Sequence, residues 1–159
     1  MDKENYLIGG LSDEDIDWFI SVGLKTPISA DQSLIEEGIT SEALYIVLTG
    51  AFSIRLSILG NQSVAQVGPG EVLGEMSYVD GRPPSATVQA TEPAEVLEIP
   101  RLALTAKLET DPEFATRFFR ALCIVLADRM RDTLNPDADT PPASDPERME
   151  RILERLRNA

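Results

Sequence analysis

Histidine is absent from the 159 residues, and cysteine occurs once, at Cys123. The first absence removes the side chain most often used as general base and metal ligand, and the second leaves no intrachain disulfide and no thiolate cage for zinc. Zinc sites and histidine-dependent catalytic triads are excluded. Basic residues are scarce as well: 14 Lys and Arg stand against 27 Asp and Glu, a formal net charge of −13. That balance argues against a sequence-independent grip on phosphate backbones or anionic lipid, so neither nucleic acid nor a membrane is expected as a partner. No run of about 18 apolar residues occurs, and the opening MDKENYLIGGLSDEDIDW has neither a basic segment nor an apolar stretch of leader type. The expected location is cytoplasmic. Walker and Rossmann glycine loops are missing, and no carboxylate pair has a placement that spacing defines, so an enzyme is not expected. What is present, 43% hydrophobic residues in 17.4 kDa, suits one globular domain with a modest extension.

The acidity is uneven. Residues 1–109 hold 17 acids and six bases (Lys3, Lys25, Arg55, Arg82, Arg101, Lys107), so 6 − 17 = −11 of the net charge lies there. An anionic small molecule would meet a repulsive long-range field, and only locally placed cations or backbone N–H groups could hold it.

Leu11-Ser12-Asp13-Glu14-Asp15-Ile16 opens a helix, with Ser12 as cap, acids in the first turn and Leu11 placed to staple against Ile16. Ile16, Phe19 and Ile20 share its apolar face, and Gly23 supplies a stop. From about residue 27 to 100 the pattern changes to short apolar runs broken by Gly, Pro, Asn and Asp, which is the spacing of a sheet. The runs cover 33–35, 43–48, 52–58 in strict alternation (Phe52, Ile54, Leu56, Ile58), 64–67, 86–90 and 94–99. Gly60-Asn61 reads as a hairpin turn and Gly68-Pro69-Gly70 as a second tight reversal. Helical period returns at 102–109, and Thr110-Asp111-Pro112-Glu113 starts a long helix over 113–134 with a cap, an early proline and an acid at the positive end. The expected class is α+β, mainly β: an antiparallel jelly roll or barrel flanked by an N-terminal helix and a long C-terminal helix.

The long helix carries Phe114, Phe118, Phe119, Leu122, Val125, Leu126 and Met130, a stripe wider than one neighbouring wall would cover. One side reads as core and the other as a surface for a second chain. Cys123 is expected to be a buried, inert thiol. Residues 135–146 hold four of the eleven prolines and three acids, a linker composition. Met149, Ile152, Leu153 and Leu156 then recur at helical spacing over 147–159, a helix that needs a docking surface on its own domain or on a partner.

Four motifs follow one another: Ser33-Leu34-Ile35-Glu36-Glu37-Gly38, Ala43-Leu44-Tyr45-Ile46-Val47-Leu48-Thr49-Gly50, Gly68-Pro69-Gly70-Glu71-Val72-Leu73-Gly74-Glu75-Met76 and Ser85-Ala86-Thr87-Val88. In order and spacing they resemble the landmarks of the cyclic-nucleotide-binding domain of catabolite-activator-type regulators, cyclic-nucleotide-dependent kinases and gated channels. The resemblance spans residues 11–134. It implies a phosphate-binding cassette over 74–85, in which a short helix offers backbone N–H groups to the cyclic phosphate, a glutamate meets the ribose and an arginine pairs with the phosphate. The residues carried over are Gly74, Glu75, Met76, Arg82, Ser85 and Ala86, with Glu75 at the ribose position and Ser85 and Ala86 as the small residues beside the phosphate. Cyclic AMP or cyclic GMP is the implied ligand, and a homodimer through the helix 113–134 the implied assembly, with a further, unidentified protein partner.

One position departs from the pattern. Aligning Ser85-Ala86-Thr87-Val88 without a gap puts Pro84 where the phosphate arginine belongs, and the nearest guanidinium, Arg82, comes two residues early. Proline has neither a cation nor a backbone N–H to offer. Arg82 is either a substitute clamp or a surface turn residue paired with Asp80; Glu75 is either a ribose ligand or a helix stabiliser. A winged helix-turn-helix of the kind such regulators carry needs on the order of 60–80 residues, and 25 follow Leu134. The expected function is therefore a stand-alone regulatory module acting through protein contacts, with a working cyclic-nucleotide sensor as the alternative.

Overall fold

The computed structural model describes residues 7–135 and 146–159, so the expected linker lies outside the described residues except for its two ends. After a 3-10 turn at Leu7–Gly10 come α1 (Asp13–Val22), β1 (Leu24–Ile28), β2 (Ser33–Ile35), β3 (Ala43–Thr49), β4 (Phe52–Leu56), β5 (Gln62–Val67), β6 (Val72–Leu73) and α2 (Glu75–Asp80). They are followed by β7 (Thr87–Ala90), β8 (Ala94–Pro100), α3 (Arg101–Thr110), α4 (Pro112–Leu134) and α5 (Pro146–Asn158). The chain divides into two compact units, Val22–Leu104 and Met1–Ser21 with Thr105–Ala159.

The unit Val22–Leu104 is the jelly roll expected from the spacing of the apolar runs. Two four-stranded antiparallel sheets, ordered β1-β8-β3-β6 and β2-β7-β4-β5, enclose a core that includes Ile28, Ile35, Tyr45, Val47, Phe52 and Val96. Because β3 is buried along both faces, its sequence reads as a continuous apolar run rather than an alternation. Gly50 ends it at φ +88°, where an added Cβ would stand 2.5 Å from the Ala94 Cβ, so both the backbone and the space require glycine. β1 was not expected, since Leu24 and Lys25 are exposed and Pro27 interrupts the run; it forms at a sheet edge, where proline is tolerated.

The alternation over 52–58 does not persist as a strand. β4 stops at Leu56, and Ser57–Leu59 turns in 3-10 form because the Glu37 carboxylate accepts from the Ser57 N–H and hydroxyl at 3.1 and 2.9 Å. Gly60 and Asn61 both take positive φ, and the Asn61 N–H reaches the Leu56 carbonyl at 2.9 Å, closing the expected hairpin. Ile58 is consequently 86% exposed. β5 forms the outer edge of its sheet, exposed at every residue but Val67.

The helical unit is organised around one buried acid. Ser12 caps α1 through its hydroxyl, which accepts from the Asp15 N–H at 3.2 Å, while the Asp15 carboxylate accepts from the Ser12 N–H at 2.9 Å. The same carboxylate receives Arg117 of α4 in a fork, 2.7 Å from Nε and 2.9 Å from Nη2. Burial alone would raise the Asp15 pKa, but the Arg117 and Ser12 hydrogen bonds together hold it below the usual carboxylate value. Trp18, Phe19, Phe114 and Phe118 pack as a ring cluster beside this pair. Asp111 caps α4 by accepting from the Phe114 N–H at 3.1 Å, with Pro112 at the first helical position.

One face of α4 buries Phe114, Phe118, Ala121, Leu122 and Val125. Cys123, expected to be buried, is exposed, because it lies about 100° around the helix from Leu122. Phe119, Met130 and Leu134 are exposed too. α5 takes the first of its two expected options and folds back on its own chain: Met149, Ile152, Leu153 and Leu156 are buried, and Arg148 donates to the carbonyls of Gly9 and Leu11. Among the described residues no helix is long and apolar enough to cross a membrane.

Candidate functional site

The stretch Gly74–Ala86 leaves β6, makes one short helix and returns through a loop to β7. Gly74 sits at φ +87° immediately before α2, and an added Cβ would come 3.3 Å from the Ala43 carbonyl oxygen. The left-handed backbone at this turn favours glycine. Glu75 and Ser77 are buried, whereas Met76 and Val79 are exposed. A six-residue helix has little stability of its own. It is pegged at its end instead: the Ser77 carbonyl accepts from the Gly81 N–H at 2.9 Å and from Arg101 Nη2 at 2.6 Å. The Arg101 guanidinium also lies 5.5 Å from the centre of the Tyr78 ring. Sequence reasoning did not single out Arg101, which lies beyond the four motifs and whose role depends on β8 bringing residue 101 to the end of α2.

Beyond Gly81 the loop runs along the turn that follows β2. The Gly38 N–H donates to the Pro84 carbonyl at 2.9 Å, and the Glu37 N–H donates to Thr87 Oγ1 at 3.1 Å. Pro84 is half-buried, Ser85 exposed and Ala86 half-buried. Arg82 turns outward. Its backbone N–H donates to Asp80 Oδ1 at 3.0 Å, its Nε lies 3.9 Å from Asp80 Oδ2, and its side chain is 84% exposed. Gly74, Glu75 and Met76 therefore stand together at the start of α2, Ser85 and Ala86 at the end of the loop, and Arg82 with Asp80 at the surface. Among the described residues no group of three or more acids or cysteines is arranged to hold a metal ion.

The model of the cyclic nucleotide-binding domain matches residues 25–111, which include this whole stretch. The chain belongs to that family. Cyclic AMP receptor protein of Thermus thermophilus is 31% identical to this cyclic nucleotide-binding domain over 82% of the chain and 59% of the relative's length. Glutaminase 2 of Bradyrhizobium diazoefficiens is 28% identical over 80% of the chain but only 20% of its own. The chain thus spans less than two thirds of the length of these relatives. Among solved structures, a cyclic nucleotide-binding domain from Methylobacillus flagellatus superposes with a TM-score of 0.72 at 28% identity, covering 82% of this chain and 76% of the other. The regulatory domain of Toxoplasma gondii PKA, crystallised with cAMP, gives 0.59 at 32% identity over 63% of this chain and 39% of the other. Both superpositions bear out the α+β jelly-roll class.

Proposed function

We propose that this cyclic nucleotide-binding domain is a regulatory module that works through protein contacts and has weak affinity for cyclic AMP and cyclic GMP. What supports this reading is that, by the family resemblance, Pro84 takes the place of the phosphate arginine, while Arg82, the nearest guanidinium in sequence, is observed to face solvent beside Asp80. A charge-assisted contact to phosphate contributes roughly 2–4 kcal/mol, so its loss lowers affinity by about 30- to 1000-fold. The acidic balance of the surrounding sequence opposes an anionic ligand further. The exposed residues Phe119, Cys123, Met130 and Leu134 recur along α4 at helical spacing, and they support a homodimer through that helix.

Isothermal titration with cyclic AMP and cyclic GMP is the test. No heat at about millimolar nucleotide supports the reading, and saturable binding in the micromolar range overturns it. A second reading, a working sensor, is favoured by the buried placement of Glu75 at the start of α2. It requires that any binding disappear in Glu75→Ala, and that Arg82→Ala weaken it if Arg82 serves as the substitute clamp.

A further inference from the structure

The turn Leu7–Gly10 is thin because it is packed on two sides. A Cβ added to Gly10 would stand 2.6 Å from the Ala121 Cβ of α4, and one added to Gly9 would stand 2.9 Å from the Met149 sulfur of α5. The two glycines therefore serve two separate contacts, one with the long helix and one with the tail. The contact with α5 is built like a peptide-binding site. Met149, Ile152, Leu153 and Leu156 present one apolar face at helical spacing, the pattern of an amphipathic helix laid into a groove. Arg148 reaches over the rim and donates from Nη1 to the Gly9 carbonyl at 3.0 Å and from Nη2 to the Leu11 carbonyl at 2.5 Å. At the far end Arg155 pairs with Asp17 of α1.

Charge selects the same type of ligand. α5 carries four arginines (148, 151, 155 and 157) against three glutamates in a chain of net charge −13, while the first turns of α1 expose Asp13, Glu14 and Asp17. The Arg155–Asp17 pair is substantially exposed on both sides, so it is screened by salt and holds α5 only lightly. A 13-residue helix is marginal on its own, so α5 keeps its form only while it is seated.

From these contacts we propose that the seat formed by Leu7–Gly10 and α1 is a docking site for an arginine-bearing amphipathic helix of a target protein, with α5 as its resident, releasable occupant. Displacement of α5 by a target helix makes the seat the protein-contact surface of the module. This extends the reading of the function given above by naming the surface and the chemistry of its partner. The assay contains no nucleotide, so its failure and a failure of the nucleotide prediction are read independently.

The test uses the full chain carrying Ile152→Asp and Leu153→Asp, which unseats its own tail, and a fluorescein-labelled peptide of residues 146–159 followed by anisotropy. Saturable binding in the micromolar range is expected. It should weaken by roughly tenfold or more when the peptide carries Arg148→Ala and should also fall as salt is raised from about 0.05 to 0.5 M. Adding Gly9→Phe to the full chain should abolish it. No saturation by about millimolar peptide, or equal binding to the Gly9→Phe chain, overturns the proposal. Hydrogen exchange on the wild-type chain gives a second measurement that does not depend on the double variant folding. The amides of α5 should exchange well before those of α4, and faster in high salt; exchange of both helices only on global unfolding overturns the proposal equally.

Discussion

Replacing Pro84 by arginine is expected to raise the affinity for cyclic AMP by about 30- to 1000-fold, the roughly 2–4 kcal/mol of a forked guanidinium–phosphate contact. The backbone at this position is held independently of the side chain, since the Pro84 carbonyl accepts from the Gly38 N–H at 2.9 Å and the neighbouring Thr87 hydroxyl accepts from the Glu37 N–H at 3.1 Å. The substitution therefore delivers a cation to a loop that is already tied down. Its cost falls on stability: freeing the unfolded chain from one proline removes about 0.4–1 kcal/mol, which lowers Tm by roughly 1–4 °C for a chain of this size. Isothermal titration of wild type, Pro84→Arg and Pro84→Ala separates the added charge from the lost ring. An affinity for Pro84→Arg within about threefold of wild type, or an equal gain in Pro84→Ala, would refute the assignment of Pro84 to the phosphate position. In Pro84→Arg, a further Glu75→Ala change should remove most of the gained affinity if Glu75 meets the ribose.

Arg117→Ala should cost about 2–3 kcal/mol in chemical denaturation, below the usual figure for a broken buried pair because Arg117 is itself 36% exposed. The Asp15 pKa lies below its unfolded value in the folded wild type, so the pair stabilises above about pH 4 and its contribution fades as pH falls through the lowered folded value; the gap between wild type and Arg117→Ala should close in that window. Gly50→Ala meets both a positive φ and the Ala94 backbone at 2.7 Å, and about 2–4 kcal/mol of destabilisation, read as a lower Tm, is expected. Cys123 should react with a thiol reagent without denaturant, and if α4 is the dimer seam the rate should rise on dilution while light scattering reports dissociation.

The β region was legible where burial is one-sided or complete. β7 buries Val88 and Ala90 and leaves Thr87 and Gln89 half-buried, and β3 announces itself as an unbroken apolar run. β1 escaped because an exposed edge strand containing Pro27 carries no pattern that composition can reveal. Ile58 misled in the opposite direction: its place in an alternating run cannot show that the Glu37 carboxylate, 20 residues earlier, captures Ser57 and turns the chain. The helix caps at Ser12 and Asp111 were readable because capping is a local contest among neighbours. At the candidate site, the Gly74-Glu75 pair and the departure at Pro84 were supplied by the family resemblance of the surrounding motifs. The outward direction of Arg82 and the peg supplied by Arg101 could not, since both are set by tertiary partners. The seating of α5 on Leu7–Gly10 joins residues 139 positions apart, beyond the reach of any periodicity.

The rim formed by β5 has a consequence for how this protein behaves in concentrated solution. Gln-Ser-Val-Ala-Gln-Val carries no charge and no proline, the two devices that usually keep an open sheet margin from recruiting other strands. Protection falls instead to the acidity of the whole molecule, whose mutual repulsion keeps neighbouring copies apart. That safeguard is colloidal rather than local, and strong electrolyte or a pH close to the isoelectric point of about 4.3 removes it. A single lysine at Val64 would place a charge on this margin that persists under those conditions.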